Sequence, residues 1–523
     1  MEEGTTGDLN AATNAKPGRH SSLAVVRVVL VLVLGAFTAN VDGSLVLATH
    51  PAIASEFNAL SSSSWLFVAY NLAGAATQAM YGKLSDIYGR RLLLVIAYAL
   101  FAVGCAIVGA GRSMGEVIVG RVVSGCGGSA LNVLGILLIT DLVPLREAAS
   151  WQASINLAAT AGRSLGGPVG GWLADTVGWR WSFMGQVPVF CLAILLCLAW
   201  LPRQQQIDSK EKPRGLARVD FLGAGLLALF ILALLLPFEL SSLPGGWSGP
   251  TIAAVIAAPI LLGALFVLAE KRWAVEPIFP LEVLHNRDVV LAYLVTLLQA
   301  MAQLGLLFSV PLYFQVTQRV SNKVAGAYLI PAVVGNAIGA LVAGIVIKRT
   351  GRYRQVLILA TAVSSVSYLL MLLRWHGQTN VWESLYIFPG GLGTGMVQTA
   401  TFVAIQATID PAHKAAAMSG IFLVVTVGVI MGMAGVSAVT LQTMAGRLAA
   451  LLRLRGIDEV AVSKIVESAT SSIEYIDDAP PDIAALVVEA YVYGLAAGHV
   501  VSLFGAALAV VCCFILREHE LRR

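Results

Sequence analysis

Apolar stretches of bilayer length follow one another almost from end to end of this chain, separated by short polar gaps. A hydrocarbon core of ~30 Å needs roughly 20 apolar residues per helical crossing, and a helix satisfies every backbone polar group within the segment. Fourteen such stretches can be marked off, the first from Val25 to Leu47 and the last from Leu495 to Leu516. Phe221 to Pro237 and Thr251 to Leu268 are among the shortest of them. Only 12% of the 523 residues are charged and 57% are hydrophobic; a soluble domain carries about 25% charged residues. The predicted fold class is therefore an all-α integral membrane protein with fourteen transmembrane helices.

The charges lie in the gaps, and their distribution predicts the orientation. With both termini placed in the cytosol, the inner segments hold 23 of the 34 Lys and Arg residues. The positive-inside rule then puts both tails in the cytosol. A net charge of +4 is small for this length and gives no reason to expect a nucleic-acid partner. The first twenty residues are polar and lack the order of a cleaved signal, so the first span itself is expected to direct insertion. All six cysteines fall in apolar stretches and read as small core residues.

A repeat divides the chain. After the second span it reads GKLSDIYGRR, with Gly82, Asp86, Gly89, Arg90 and Arg91; after the tenth it reads GIVIKRTGRY, with Gly344, Lys348, Gly351 and Arg352 at matching offsets. Spacing conserved between two six-helix sets predicts duplicated halves with spans seven and eight inserted between them. Glycine permits a tight turn there, and Asp and Arg can pair between helices, so the loop reads as a conformational latch. The alternative is that Arg90 and Arg91 only anchor the bilayer surface. The expected organisation is a cytosolic tail over 1–24, a six-helix half over 25–201 and a linker with two inserted helices over 202–288. A second half over 289–516, with a long outer loop at 442–494, precedes a tail over 517–523. Within that loop an apolar-periodic stretch around Leu448 to Val466 predicts either an amphipathic helix on the outer face or a solvated spacer.

The latch string resembles the signature loop of the major facilitator superfamily. Three more motifs resemble its fourteen-span drug:proton antiporter branch: VDGSLVLATHPAI in the first span, VGRVVSGCGGSA in the fourth and GRSLGGPVGGWL in the fifth. SSSSWLFVAY, DLVPLREA and ADTVGWRWSF resemble fungal members of that branch, both toxin or multidrug exporters and vacuolar basic amino acid permeases. The resemblance implies a major facilitator fold of two six-helix halves plus two inserted helices.

An ionisable side chain inside a span is costly enough to mark function. Asp42 is the first candidate for a proton carrier; the alternative is a hydrated residue close to the outer interface. Arg121 sits in the fourth span beside Ser124, Gly125, Gly127 and Gly128, small residues that allow close helix approach. The resemblance implies that Arg121 poises the proton site; a purely structural Arg bonded to carbonyls is the alternative. The fifth span carries Gly162, Gly166, Gly167, Pro168, Gly170 and Gly171, which the resemblance identifies as the antiporter motif. Arg163 departs from that motif, where a small residue is usual. It is expected to pair with Asp42, to meet an anionic substrate, or to reach a helix-end carbonyl. Asn71, Asn156, Gln299 and Gln303 are the candidate substrate contacts.

Nothing in the chain resembles a nucleotide loop, a metal-ligand cluster or a nucleophile with its base, so neither an enzyme nor a self-contained ATP-driven pump is expected, and no cofactor. The expected partners are the lipid bilayer, protons and a small-molecule substrate, with the protein monomeric. The leading expectation is a proton-coupled antiporter exporting toxins, drugs or secondary metabolites across the cell membrane. The alternatives are basic amino acid transport at the vacuolar membrane and, from a different class, a transporter-like nutrient sensor.

Overall fold

The computed structural model describes residues 22–143, 145–201, 220–240, 249–273, 281–409 and 414–519. They form helices joined by short connections, and no strand occurs among them. The first set comprises α1 (Ser22–Glu56), α2 (Trp65–Tyr88), α3 (Arg90–Ala110), α4 (Met114–Leu142), α5 (Leu145–Thr176), α6 (Trp179–Met184) and α7 (Gln186–Trp200). Two helices follow, α8 (Phe221–Leu240) and α9 (Gly249–Arg272). The second set comprises α10 (Arg287–Gln318), α11 (Asn322–Ala327), α12 (Ile330–Thr350), α13 (Tyr353–Arg374), α14 (Val381–Ser384), α15 (Ile387–Thr408) and α16 (Lys414–Leu454). It continues through α17 (Glu459–Ser471) and α18 (Tyr475–Asp478) to α19 (Pro481–Ile515).

Ten helices among the described residues are long and apolar enough to cross a membrane. The stretches at α2, α5, α8 and α15, which the sequence also marks, are helical as well. In α2, α5 and α15 the apolar run is diluted by the glycine and polar residues that seat them on their neighbours. Gly125 of α4 lies so close to the Tyr70 carbonyl of α2 that no Cβ fits between them. Small residues take this place because helix association in lipid depends on close backbone approach rather than on water exclusion.

Each set has its own core. Tyr98, Phe101 and Phe190 anchor the first, with the Phe101 and Phe190 rings stacked at 4.4 Å. Tyr293, Tyr353 and Leu357 anchor the second, and Leu227, Ile231 and Leu235 of α8 join it beside Val68 and Ala75 of α2. The extra helix α8 is thereby seated against both sets. A third cluster joins the sets at one end, where Leu45, Ile53 and Phe67 meet Phe308, Leu312 and Met433.

The sequence repeat has a structural counterpart. Gly89 and Gly351 have φ of +90° and +71°, a conformation that glycine adopts without strain, and each turns the chain into the next helix. Just beyond, Arg91 donates to the Leu198 carbonyl at the end of α7, and Arg354 donates to the Phe514 carbonyl at the end of α19 at 2.7 Å. In the first set α3 is tied to α7, and in the second α13 is tied to α19, by the same kind of bond.

The long connection between the last two spans is shorter than its sequence suggests, because α16 runs to Leu454 and α19 begins at Pro481. Its helix α17 is amphipathic and buries Val462 and Ala469 in the cluster that joins the two sets. It is packed against the bundle end rather than solvated on all sides.

Candidate functional site

Asp42 of α1 and Arg121 of α4 meet in the interior of the first set, with Nη1 of Arg121 2.6 Å from Oδ2 of Asp42. Their side chains are 0% and 1% exposed, so neither faces lipid or water. Arg121 Nε also donates to the Leu66 carbonyl at 2.8 Å, and its guanidinium lies 4.5 Å from the centre of the Tyr70 ring. Gln186 of α7 donates to the second Asp42 oxygen at 3.4 Å. Nη2 of Arg121 has no partner among the described residues.

Four helices thus converge on one ion pair, and the chemistry follows from its burial. Removing one charge of a buried pair leaves the other uncompensated, at a cost of about 3–5 kcal/mol. A proton arriving at Asp42 would strand Arg121 in this way. Protonation therefore requires the surroundings of Arg121 to change as well, which is how a proton can be linked to helix movement.

The glycines of α5 face two ways. A Cβ on Gly166 would stand 2.5 Å from the Val41 carbonyl of α1, and Gly162 and Gly170 meet α1 as closely at Phe37 and Leu45. A Cβ on Gly167 would stand 2.8 Å from the Gly326 carbonyl of α11, and Gly171 abuts Asn322. The helix runs unbroken past Pro168. Arg163 is exposed, and among the described residues no carboxylate pairs with it; Asp42 is taken up by Arg121 and Gln186.

The contacts described for Arg90 of the first repeated loop lie within the first half. Arg90 Nε is 3.2 Å from Asp141 Oδ2 at the end of α4, and Arg90 also reaches the Gly82 carbonyl at 3.4 Å and the Ser85 hydroxyl. The side chain of Asp86 lies outside the described ones. Lys348 and Arg352 are exposed at the matching place, as is Gly344.

The candidate substrate contacts separate. Gln299 and Gln303 are buried in one network of the second half: Gln299 donates to Ser364 at 2.8 Å and Thr394 at 2.9 Å, and Gln303 accepts from Tyr368 at 2.7 Å. Asn71 bonds to the Phe67 carbonyl of its own helix, while Asn156 is exposed on α5.

Sequence reasoning did not anticipate the contacts that close one end of the bundle. Asp175 at the end of α5 accepts from the backbone N–H of Asn322 and of Lys323. His50 of α1 donates to the Phe308 carbonyl of α10 at 3.0 Å and stacks on the Phe308 ring at 3.9 Å. Arg319 pairs with Asp477, and Ile473 N–H donates to Ser55. The only signals were a lone His, which is usually a core residue, and an Asp followed by a turn.

Comparison with known proteins agrees with this architecture. The chain is 31% identical over 505 residues to the vacuolar membrane amino acid uptake transporter fnx2 of Schizosaccharomyces pombe, covering 96% of this chain and 86% of that one. It is 32% identical to the multidrug resistance protein fnx1 of the same organism, covering 88% and 86%. Among solved structures, the inward-facing, unoccupied bacterial homolog of the human lysosomal transporter Spinster matches with a TM-score of 0.64 at 14% identity, covering 96% of this chain and all of that one. The family model for the Major Facilitator Superfamily matches residues 32–436. With two helical sets built on the same plan, a glycine-lined seam between them and that match over most of its length, the chain belongs to the Major Facilitator Superfamily.

Proposed function

We propose that this transporter is a proton-coupled antiporter that exports small organic molecules, such as toxins, drugs or secondary metabolites, by alternating access. Asp42 is the proton carrier and Arg121 the group that poises it. The observation that carries this reading is the dry Asp42–Arg121 pair, a charge arrangement that a static scaffold has no need to keep. The seam at Gly167 and Gly326 supports rocking of the halves, and the Arg90–Asp141 pair supports a latch at the opposite end. The protein has fourteen spans, α8 and α9 being the inserted pair, with both termini cytosolic, and acts as a monomer in the cell membrane. No catalytic activity or cofactor is assigned to it.

A second reading is amino acid transport at the vacuolar membrane, which the likeness to fnx2 over 96% of this chain supports. Reconstitution in proteoliposomes tests both, using lysine, arginine and hydrophobic cationic drugs with and without an imposed pH gradient. Gradient-driven flux that Asp42→Asn abolishes is the expected result. Flux of every recognised substrate that ignores the gradient would end the coupling claim.

A further inference from the structure

Arg163 lies within α5 and takes part in neither the Asp42–Arg121 pair nor the Arg90–Asp141 pair. Successive helical residues turn by about 100°, so the directions of α5 can be ordered by what its glycines touch. Gly162, Gly166 and Gly170 face α1, and Gly167 and Gly171 face α11. Arg163 points midway between these two directions. Leu157, Leu165, Val169 and Trp172, the exposed apolar residues of this helix, lie on the opposite side. Arg163 is therefore turned away from lipid and into the space between the halves, yet it is exposed.

The depth of that space also follows. One turn beyond Arg163 the seam is shut by Gly167 against Gly326, and a further turn on by Gly171 against Asn322. In the other direction Asn156 lies two turns away on the same side of α5 and is exposed too. The space thus opens toward the bundle end that carries Arg90 and Asp141, and Arg163 stands near its closed floor.

We propose that Arg163 anchors a carboxylate, or a like anionic group, of the transported molecule. Arg presents a planar fork of donors matched to a carboxylate, and here no acceptor among the described residues occupies it. A cation held near the floor of an accessible cleft excludes molecules that are only positively charged. Zwitterions such as amino acids remain allowed, so the proposal deepens the antiporter reading above by restricting its substrates, whichever membrane it serves.

The test uses the full-length protein in vesicles of zwitterionic lipid, where no anionic headgroup can stand in for the substrate. Matched acids and carboxamides (lysine and lysinamide, arginine and argininamide, salicylate and salicylamide) are offered under a pH gradient. The expected result is transport of an acid at least tenfold faster than its amide, a ratio that falls to about one in Arg163→Gln and is partly kept in Arg163→Lys. Equal rates for acid and amide in the wild type, or an unchanged ratio in Arg163→Gln, would overturn the proposal. Loss of gradient dependence with the ratio intact would instead sink only the coupling reading. Should no pair be transported, the decision falls to Arg163→Cys with Cys126 and Cys191 replaced by Ser. A membrane-impermeant thiol reagent added at the Arg90 side is expected to modify it, and protection from that reagent refutes the placement.

Discussion

Asp175 at the last turn of α5 accepts the backbone N–H of Asn322 at 3.1 Å, and the Asn322 side chain donates to the same oxygen at 2.9 Å. One half of the protein thereby caps the first turn of a helix in the other. Removing a capping carboxylate costs about 1 kcal/mol, or roughly a fivefold shift in a two-state equilibrium. Asp175→Ala is expected to populate conformers open at this end. Distance distributions between spin labels on the ends of α5 and α11 would report it, and an unchanged distribution would remove Asp175 from the gate.

The two glycine faces of α5 predict two kinds of damage. Alanine at Gly166 would put a methyl group 2.5 Å from the Val41 carbonyl, inside a contact that exists in every state if α1 and α5 move together. Gly166→Ala is expected to lower thermal stability by about 1–3 kcal/mol, as overpacking does. Alanine at Gly167 would stand 2.8 Å from the Gly326 carbonyl of the other half, a contact that opening this end would relieve. Gly167→Ala is expected to keep the melting temperature and slow transport, with a greater share of molecules open at the Asp175 end. A melting temperature that falls equally in both variants would show the two faces to be equivalent.

These contacts also show what the sequence made legible. Asp42 and Arg121 stood out because an ionisable group in an apolar run has few reasons to be there. Their converging partners, Leu66, Tyr70 and Gln186, carry no such mark; a carbonyl, a ring and an amide become a charge site only when four helices bring them together. The halves were legible from the repeated loop, in which Gly89 and Gly351 have the same unusual backbone sign. The Arg354 tie was not, because it stands one place off the repeat register of Arg91. Gln299 and Gln303 share Thr394 and Tyr368 in a buried network that leaves Gln299 Oε1 without a partner among the described residues, and only packing distinguishes that from lining a path. The helix α17 was legible as part of a periodic stretch but not as a packed one, since its burial depends on the partner surface.

One loop outside the spans gives a pH dependence with a definite sign. Glu383 of α14 accepts the Asn380 backbone N–H and two bonds from Arg374, at 3.0, 3.0 and 2.5 Å. The Asn380 bond first, and then Arg374, hold its carboxyl below the ordinary value of 4.5. A lowered value in the folded state means that the stabilisation is fully present above the unfolded value and disappears as pH falls through the folded one. Glu383→Gln is expected to speed amide exchange across residues 377–386 at pH 7, with the difference from wild type shrinking below about pH 4. A difference that does not depend on pH would point to shape rather than charge.

The buried pair yields the most demanding prediction, because stability and transport should part company there. Arg121→Gln leaves Asp42 as an unpaired charge away from water, and a loss of about 3–5 kcal/mol is expected. Asp42→Asn leaves Arg121 with only the Leu66 carbonyl and the face of Tyr70, and should also destabilise. The double variant removes both charges together, so its loss should fall short of the sum by about 1–3 kcal/mol, the coupling expected of groups in direct contact. Gradient-driven flux should nonetheless be absent in all three, since recovering the fold does not restore a proton site. Thermal unfolding of the purified proteins and uptake in vesicles separate the two outcomes. A double variant that is both stable and gradient-driven would make the pair a structural clamp and move proton coupling elsewhere in the chain.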